Sequence, residues 1–415
     1  MTRNIALCGR GPSGEEPRSG SSPDARARIV GVDMEGFPMV SAGTAADRDH
    51  LRDLDAHVVD RVGRVLRTEL AARREELRTV APETALLVDG VQGYLEGGKL
   101  LRPRFCFWGG VAALGRHPED EETEALARYG AAIELVQAAA LMHDDVIDHS
   151  PTRRGRPAMH VAAAERHRRE ALSGDPEDFG VAVAIVLGDL ALSWSEQLAS
   201  GIDGESLDTS RARGEFDRLR TEVMSGQYLD ILHQAGGFTS TADAERAALE
   251  VIHWKTVPYT VLRPVRIGAA LLGAGPGALE ALSRWSIEIG TAFQLRDDLL
   301  SVVGDTDQTG KPIGGDIEEG KRTVLLARTL AGADRAQREL LERTVGRTDA
   351  PASDVAAVHE LMLRTGAVAS VSEEVQERAA RAAQILDRAE GLGEEGRAGL
   401  AALAAQATEV ASLPS

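Results

Sequence analysis

Leu141-Met142-His143-Asp144-Asp145-Val146-Ile147-Asp148, followed by Arg153-Arg154-Gly155-Arg156-Pro157, is the stretch on which the reading of this chain turns. On an α-helix Asp144 and Asp148 lie one turn apart on the same side, with Asp145 beside them. Carboxylates placed this way repel one another unless a cation sits between them. Oxygen ligands a turn apart suit a hard ion such as Mg²⁺, which keeps several waters and is held through one or two carboxylates plus substrate phosphates. The two arginines just downstream suit phosphate recognition. The stretch points to a Mg²⁺-diphosphate site.

The helix expected around 126–149 carries this motif. Counting back from Asp144, Ala140, Gln137 and Ile133 fall on or near its face, with Ala139 and Val136 beside them. Such a wall has a polar, metal-binding top and an apolar lower part of small residues. It suits an amphiphile with a charged head and a hydrocarbon tail; close helix packing by alanines is the alternative.

A second candidate precedes it. Gly97-Gly98-Lys99-Leu100-Leu101-Arg102-Pro103 sets Lys99 and Arg102 three apart at a helix start, where the backbone N–H groups also favour an anion. Downstream, Phe293-Gln294-Leu295-Arg296-Asp297-Asp298-Leu299-Leu300-Ser301 forms a second acidic helix, with Gln294, Asp297 and Ser301 on one face. Gly310-Lys311-Pro312 and the charged run Glu318-Glu319-Gly320-Lys321-Arg322 follow. Two Asp-rich helix ends with Lys and Arg around them make a multi-metal diphosphate cage if the fold brings them together. Gly226-Gln227-Tyr228-Leu229-Asp230 and Lys255-Thr256-Val257-Pro258-Tyr259 add polar groups to otherwise amphipathic helices.

The rest of the chain is consistent with a helical scaffold. Its 415 residues are rich in Ala and Leu, with 4% aromatic residues and 43 Gly, and Gly, Pro and Asp-rich turns separate segments of helical length. No strand pattern stands out, so the fold class is all-α, about a dozen helices in one domain. Residues 1–43 lack a sustained period and read as a disordered extension; 44–415 read as a single domain. The run from His160 to Phe179 reads as a solvated loop, and Val181 to Asp189 as a buried helix whose Asp189 interrupts an apolar face.

A formal charge of -18 argues against nucleic-acid binding. Two distant cysteines, Cys8 and Cys106, make no disulfide framework and fit a cytoplasmic protein. No transmembrane helix, stable membrane insertion or secretory signal is expected.

In content and order these motifs resemble the trans-isoprenyl diphosphate synthases, the polyprenyl synthetase family of head-to-tail prenyltransferases, over about residues 85–330. The matching elements are Gly-Gly-Lys-x-x-Arg-Pro at 97–103, Asp-Asp-x-x-Asp at 144–148 with Arg-Arg-Gly-x-Pro at 153–157, Lys-Thr at 255–256, and Phe-Gln-x-x-Asp-Asp at 293–298. The resemblance implies an all-α helical bundle around a central cavity, a homodimer, and Mg²⁺, about three ions per active site, bridging the two Asp-rich helices. It implies metal ligation by Asp144, Asp148 and Asp297, supported by Asp145 and Asp298. It places the allylic diphosphate on Arg153, Lys255 and Lys311, and isopentenyl diphosphate on Lys99, Arg102, Gln137 and Arg154, with Lys321 as a further substrate-binding residue. Gln227, Lys255, Thr256 and Gln294 match positions at the reacting carbons.

Two departures from the family pattern stand out. Ser301 replaces the usual third acid of the second motif, and Gln137 stands where His is common. Family members that stop at fifteen carbons carry bulky aromatics four or five residues before the first Asp; here those positions are Ala140 and Ala139. The expected product is therefore geranylgeranyl diphosphate. A longer-chain synthase, a class I terpene cyclase and a non-catalytic subunit of a partner synthase are the competing readings.

Overall fold

The computed structural model describes residues 45–236, 241–303, 317, 319–347 and 349–409. The extension at 1–43 and Lys311 lie outside them. From the N-terminus run α1 (Ala45–Val80), a 3-10 turn (Pro82–Ala85), α2 (Leu86–Leu95), α3 (Leu101–Leu114) and α4 (Asp120–Ile147). Then follow α5 (Met159–Arg169), α6 (Pro176–Ser200), α7 (Thr209–Ala235) and α8 (Thr241–Val251). Two π-helical turns, Ile252–Thr256 and Pro258–Leu262, lead into α9 (Arg263–Leu271) and α10 (Pro276–Val303). The remaining helices are α11 (Val324–Gly332), α12 (Arg335–Thr344), α13 (Ala352–Arg364), α14 (Ala367–Arg388) and α15 (Glu394–Thr408).

The bundle is assembled around α4. Its start is fixed by a capping box, in which the Glu119 backbone N–H donates to the Glu122 carboxylate at 2.7 Å, and by acids in the first turn that complement the helix dipole. Its middle is buried on almost every side, because small residues let α1, α3 and α6 approach closely. Beneath it, Asp55 of α1 receives Arg104 Nε at 2.9 Å and the Trp108 indole N–H at 3.0 Å, all three side chains fully buried. This main core includes α1, α3, α4 and α9, and a second apolar cluster ties α10 to α11, α13 and α14.

Three expectations are corrected. Thr152–Arg153 (β1) and Arg156–Pro157 (β2) pair antiparallel, two-residue strands too short for any alternating pattern to betray them. The supposed loop contains α5, since Ala163, Ala164 and His167 form a buried stripe under a basic outer face. Finally, α6 is only half covered: Ile185 and Val186 are exposed, and Asp189 points outward, 3.7 Å from His143. This helix is also long and apolar enough to cross a membrane by length and composition, with a mean hydropathy of 1.5 over its most apolar window. The sequence reading expected no such segment. In the fold α6 packs its inner face on α4 and α5.

Candidate active site

The C-terminal end of α4 carries Asp144, Asp145 and Asp148, where the helix dipole disfavours acids. Nearby cations offset that cost. Asp144 Oδ1 accepts from Gln227 Nε2 at 2.9 Å and lies 3.5 Å from Lys255 Nζ. Burial opposes its ionisation, but Lys255, Lys321, Arg153 and the Gln227 hydrogen bond together hold its carboxyl below the usual range. Asp148 is less well served. Burial, and then the charge on Asp144, push it up to about 6, although Lys321 Nζ stands 3.8 Å away. The pair is an acidic site short of positive charge.

Asp145 has a different task from its neighbours. It is fully buried; Tyr94 donates to one oxygen at 2.7 Å and Arg153 donates to the other through Nε (2.9 Å) and Nη2. Both oxygens are thus engaged by protein donors. It orients Arg153, whose β1 position follows from the hairpin.

Lys255 stands on the first π turn. Pro258 and Pro264 each remove a helical N–H, and the backbone widens so that Val257 and Arg263 donate five residues back, to Ile252 and Pro258. Lys255 Nζ then reaches Asp230 Oδ2 at 2.6 Å. Asp144 and Asp230 overcome burial and raise its ammonium above the ordinary value. This close approach requires Gly226, because a Cβ there would lie 2.4 Å from Lys255 N. Thr256 donates to Gln294 at 2.7 Å, and Gln294 to Asp298 at 2.7 Å.

The facing helix, α10, presents Asp297, which keeps 41% of its side-chain surface and pairs with Arg296 at 3.2 Å. Its surroundings in the bundle raise its carboxyl, opposed by Arg296, Arg102 and Lys99. Asp298 is buried, accepts from Gln294 and lines a small cavity with Ser301 and Lys321. Ser301 Oγ donates to the Asp298 carbonyl.

The third cluster joins the helix-start motif to the hairpin. The Arg102 guanidinium stacks 4.1 Å from the Tyr259 ring and donates to Thr260 at 3.2 Å, while Tyr259 donates to Gln137. Arg154 reaches back to the Tyr94 and Glu96 carbonyls at 3.2 and 2.6 Å. Lys99 is exposed beside them. Lys321 belongs with the first acidic end, bridging Asp148 and Glu319. Below Asp144, Ala139 is fully buried and Ala140 half-buried.

Sequence reasoning did not single out Asp230, Tyr94, Tyr259 or Glu134. Asp230 had a signal, three residues after Gln227 on one helix; lone tyrosines carry none. Among the described residues no three His, Cys, Asp or Glu side chains lie together closely enough to hold a metal on their own.

The family model of polyprenyl synthetases matches residues 85–362. The chain belongs to the polyprenyl synthetase family. It is a trans-prenyl diphosphate synthase, a transferase. The synthase is 33% identical over 295 residues to the short chain isoprenyl diphosphate synthase of Methanothermobacter thermautotrophicus, spanning 71% of this chain and 81% of that protein. It is 31% identical to the farnesyl diphosphate synthase of Geobacillus stearothermophilus over 57% of this chain and 73% of that one. The crystal structure of geranylgeranyl pyrophosphate synthase from Corynebacterium glutamicum, complexed with isoprenyl diphosphate and magnesium, superposes with a TM-score of 0.79 at 37% identity, covering 86% of this chain and 98% of that one.

Proposed function

We propose that this synthase condenses isopentenyl diphosphate with an allylic diphosphate to give geranylgeranyl diphosphate. One observation carries the reading: the acidic end of α4 gathers Lys255 and Lys321 around Asp144 and Asp148, while Arg102, Gln137 and Arg154 form a separate polar cluster at Tyr259 and the Gly98 backbone, with Lys99 next to it in the chain. Two diphosphates need two such pockets, whereas a terpene cyclase has no use for the second.

The donor set fits Mg²⁺, being hard carboxylate oxygens on Asp144 and Asp148, with Asp148 pushed up to about 6 by burial and by the Asp144 charge. Asp297 would complete the cage from α10. Bound there, the ions would neutralise charge on the leaving diphosphate. Arg153, Lys255 and Lys321 supply fixed positive charge at the same place, so the allylic C–O bond breaks in a preorganised field. Arg102, Arg154, Lys99 and Gln137 hold isopentenyl diphosphate with its double bond against the allylic C1. Its π electrons form the new C–C bond and a proton leaves the adjacent carbon, with the departed diphosphate as acceptor. Gln227, Thr256 and Gln294 line the reacting carbons with amide and hydroxyl dipoles.

Ala139 and Ala140 support the product length, since they leave room beneath Asp144 where an aromatic would close the pocket. The exposed apolar face of α6, with Ile185 and Val186, supports a homodimer, and the two soluble substrates fit a cytoplasmic enzyme. The test is a single-turnover and steady-state assay with Mg²⁺, labelled isopentenyl diphosphate and Arg102→Ala. The reading requires the KM for isopentenyl diphosphate to rise by at least about tenfold, the loss expected for a charged phosphate contact. An unchanged KM would overturn the pocket assignment.

A further inference from the structure

Glu134 lies on α4 ten residues before Asp144 and keeps only 5% of its surface. Among the described residues no hydrogen bond or ion pair engages its carboxylate. An isolated buried acid is costly, so its surroundings must account for it. They are cationic. A Cβ on Gly98 would meet Arg154 Nη2 at 3.5 Å and Glu134 Oε2 at 3.9 Å, so the guanidinium and the carboxylate converge on the Gly98 backbone. Burial raises the Glu134 carboxyl, and the charges that oppose this belong to Arg102 and Arg154. Conversely, burial depresses the Arg154 guanidinium, Glu134 supports its charge, and Arg153 and Arg102 work against it. Two guanidinium groups, Arg102 and Arg154, thus gather where one diphosphate is to bind, with a single buried acid behind them.

We propose that Glu134 is a positioning residue, a built-in counter-charge that holds Arg102 and Arg154 side by side in the empty site and competes for them with the incoming diphosphate. A pocket of uncompensated guanidinium groups would bind any diphosphate tightly, including the inorganic pyrophosphate the reaction releases. The carboxylate sets that affinity lower and keeps the site exchangeable. Because it makes no direct hydrogen bond, its influence is Coulombic and should depend on its charge more than on its shape.

The proposal rests on assigning this pocket to isopentenyl diphosphate. The experiment compares wild type, Glu134→Gln and Glu134→Met, measuring KM for each substrate and inhibition by inorganic pyrophosphate against isopentenyl diphosphate. In both variants the KM for isopentenyl diphosphate is expected to fall on the order of tenfold, the effect of one charge about 10 Å away at an effective dielectric of about 20. Pyrophosphate inhibition should tighten in step, the KM for the allylic substrate should hold, and Glu134→Asp should return both values towards wild type. A KM that stays the same or rises in the Gln and Met variants overturns the proposal, even if melting temperature drops, since a merely structural acid would move stability alone. Either variant suffices if the other does not fold. Loss of the pocket assignment is seen separately, as an Arg102→Ala enzyme with unchanged KM.

Discussion

Gly226→Ala should disable the enzyme through a single methyl group. An ideal Cβ at this position lies 2.4 Å from Lys255 N and 2.5 Å from both Lys255 Cα and the Trp254 carbonyl carbon. All three are backbone atoms, so no side chain can swing aside, and ordinary contact requires α7 and the first π turn to part by about 1 Å. Overpacking of this kind costs about 1–3 kcal/mol in stability. The larger effect is on the chemistry. The 2.6 Å Lys255–Asp230 hydrogen bond spans the seam being forced open, and Gln227, next to Gly226 on α7, holds Asp144 at 2.9 Å; a displacement of about 1 Å at a reacting centre costs about a hundredfold in rate. Gly214→Ala on the same helix is the control. Nothing lies within 4 Å of its Cβ, so it should gain about 0.5–1 kcal/mol from helix propensity and keep full activity. Thermal melts and kcat on both variants make the comparison. Equal behaviour of the two would refute the close approach of α7 to Lys255.

Other outcomes follow from the same geometry. Asp55→Ala leaves the Arg104 guanidinium buried and uncompensated and should cost about 3–5 kcal/mol, read by denaturant titration; a loss below about 1 kcal/mol would mean that water reaches the site. In metal-free protein the native state binds the Asp148 proton more tightly than the unfolded chain does, its pKa being about 6. Stability should therefore fall as pH rises from about 4 to 6. Asp148→Asn removes that slope and stabilises the metal-free protein at pH 7 by up to about 3 kcal/mol; identical pH profiles by calorimetry in chelator would contradict the shift. Ala139→Phe should shorten the product, read by chromatography after phosphatase treatment; an unchanged product mixture would put the pocket floor elsewhere.

Much of the site was legible because helical periodicity fixes which residues share a face. Asp144 with Asp148, and Lys99 with Arg102, needed only that rule. The same rule did not give the surroundings of Asp145 and Asp298: one residue turns a helix by about 100° and carries the side chain next to Asp144 or Asp297 towards other partners. Asp145 meets Tyr94 there, a partner that only the fold supplies, whereas Asp298 meets Gln294 one turn back on its own helix. The hairpin at Arg153 eluded a periodic reading because it is two residues per strand. α5 was hidden by its basic outer face, and α6 looked buried because its outward residues are as apolar as its inward ones. Tyr259, which stacks on Arg102 and binds Gln137, comes from more than a hundred residues away in sequence and owes its position to the π turns around Pro258.

The central claim is that two separate diphosphate pockets serve a tail pocket lined by Ala139 and Ala140. Its most direct test is purified protein with Mg²⁺ and labelled isopentenyl diphosphate, supplied in turn with dimethylallyl, geranyl and farnesyl diphosphate, and the chain length of the product measured. The account predicts turnover of the protein alone, with elongation that ends at geranylgeranyl diphosphate from each primer. Termination at fifteen carbons, a cyclised hydrocarbon, or turnover only in the presence of a second protein would contradict it.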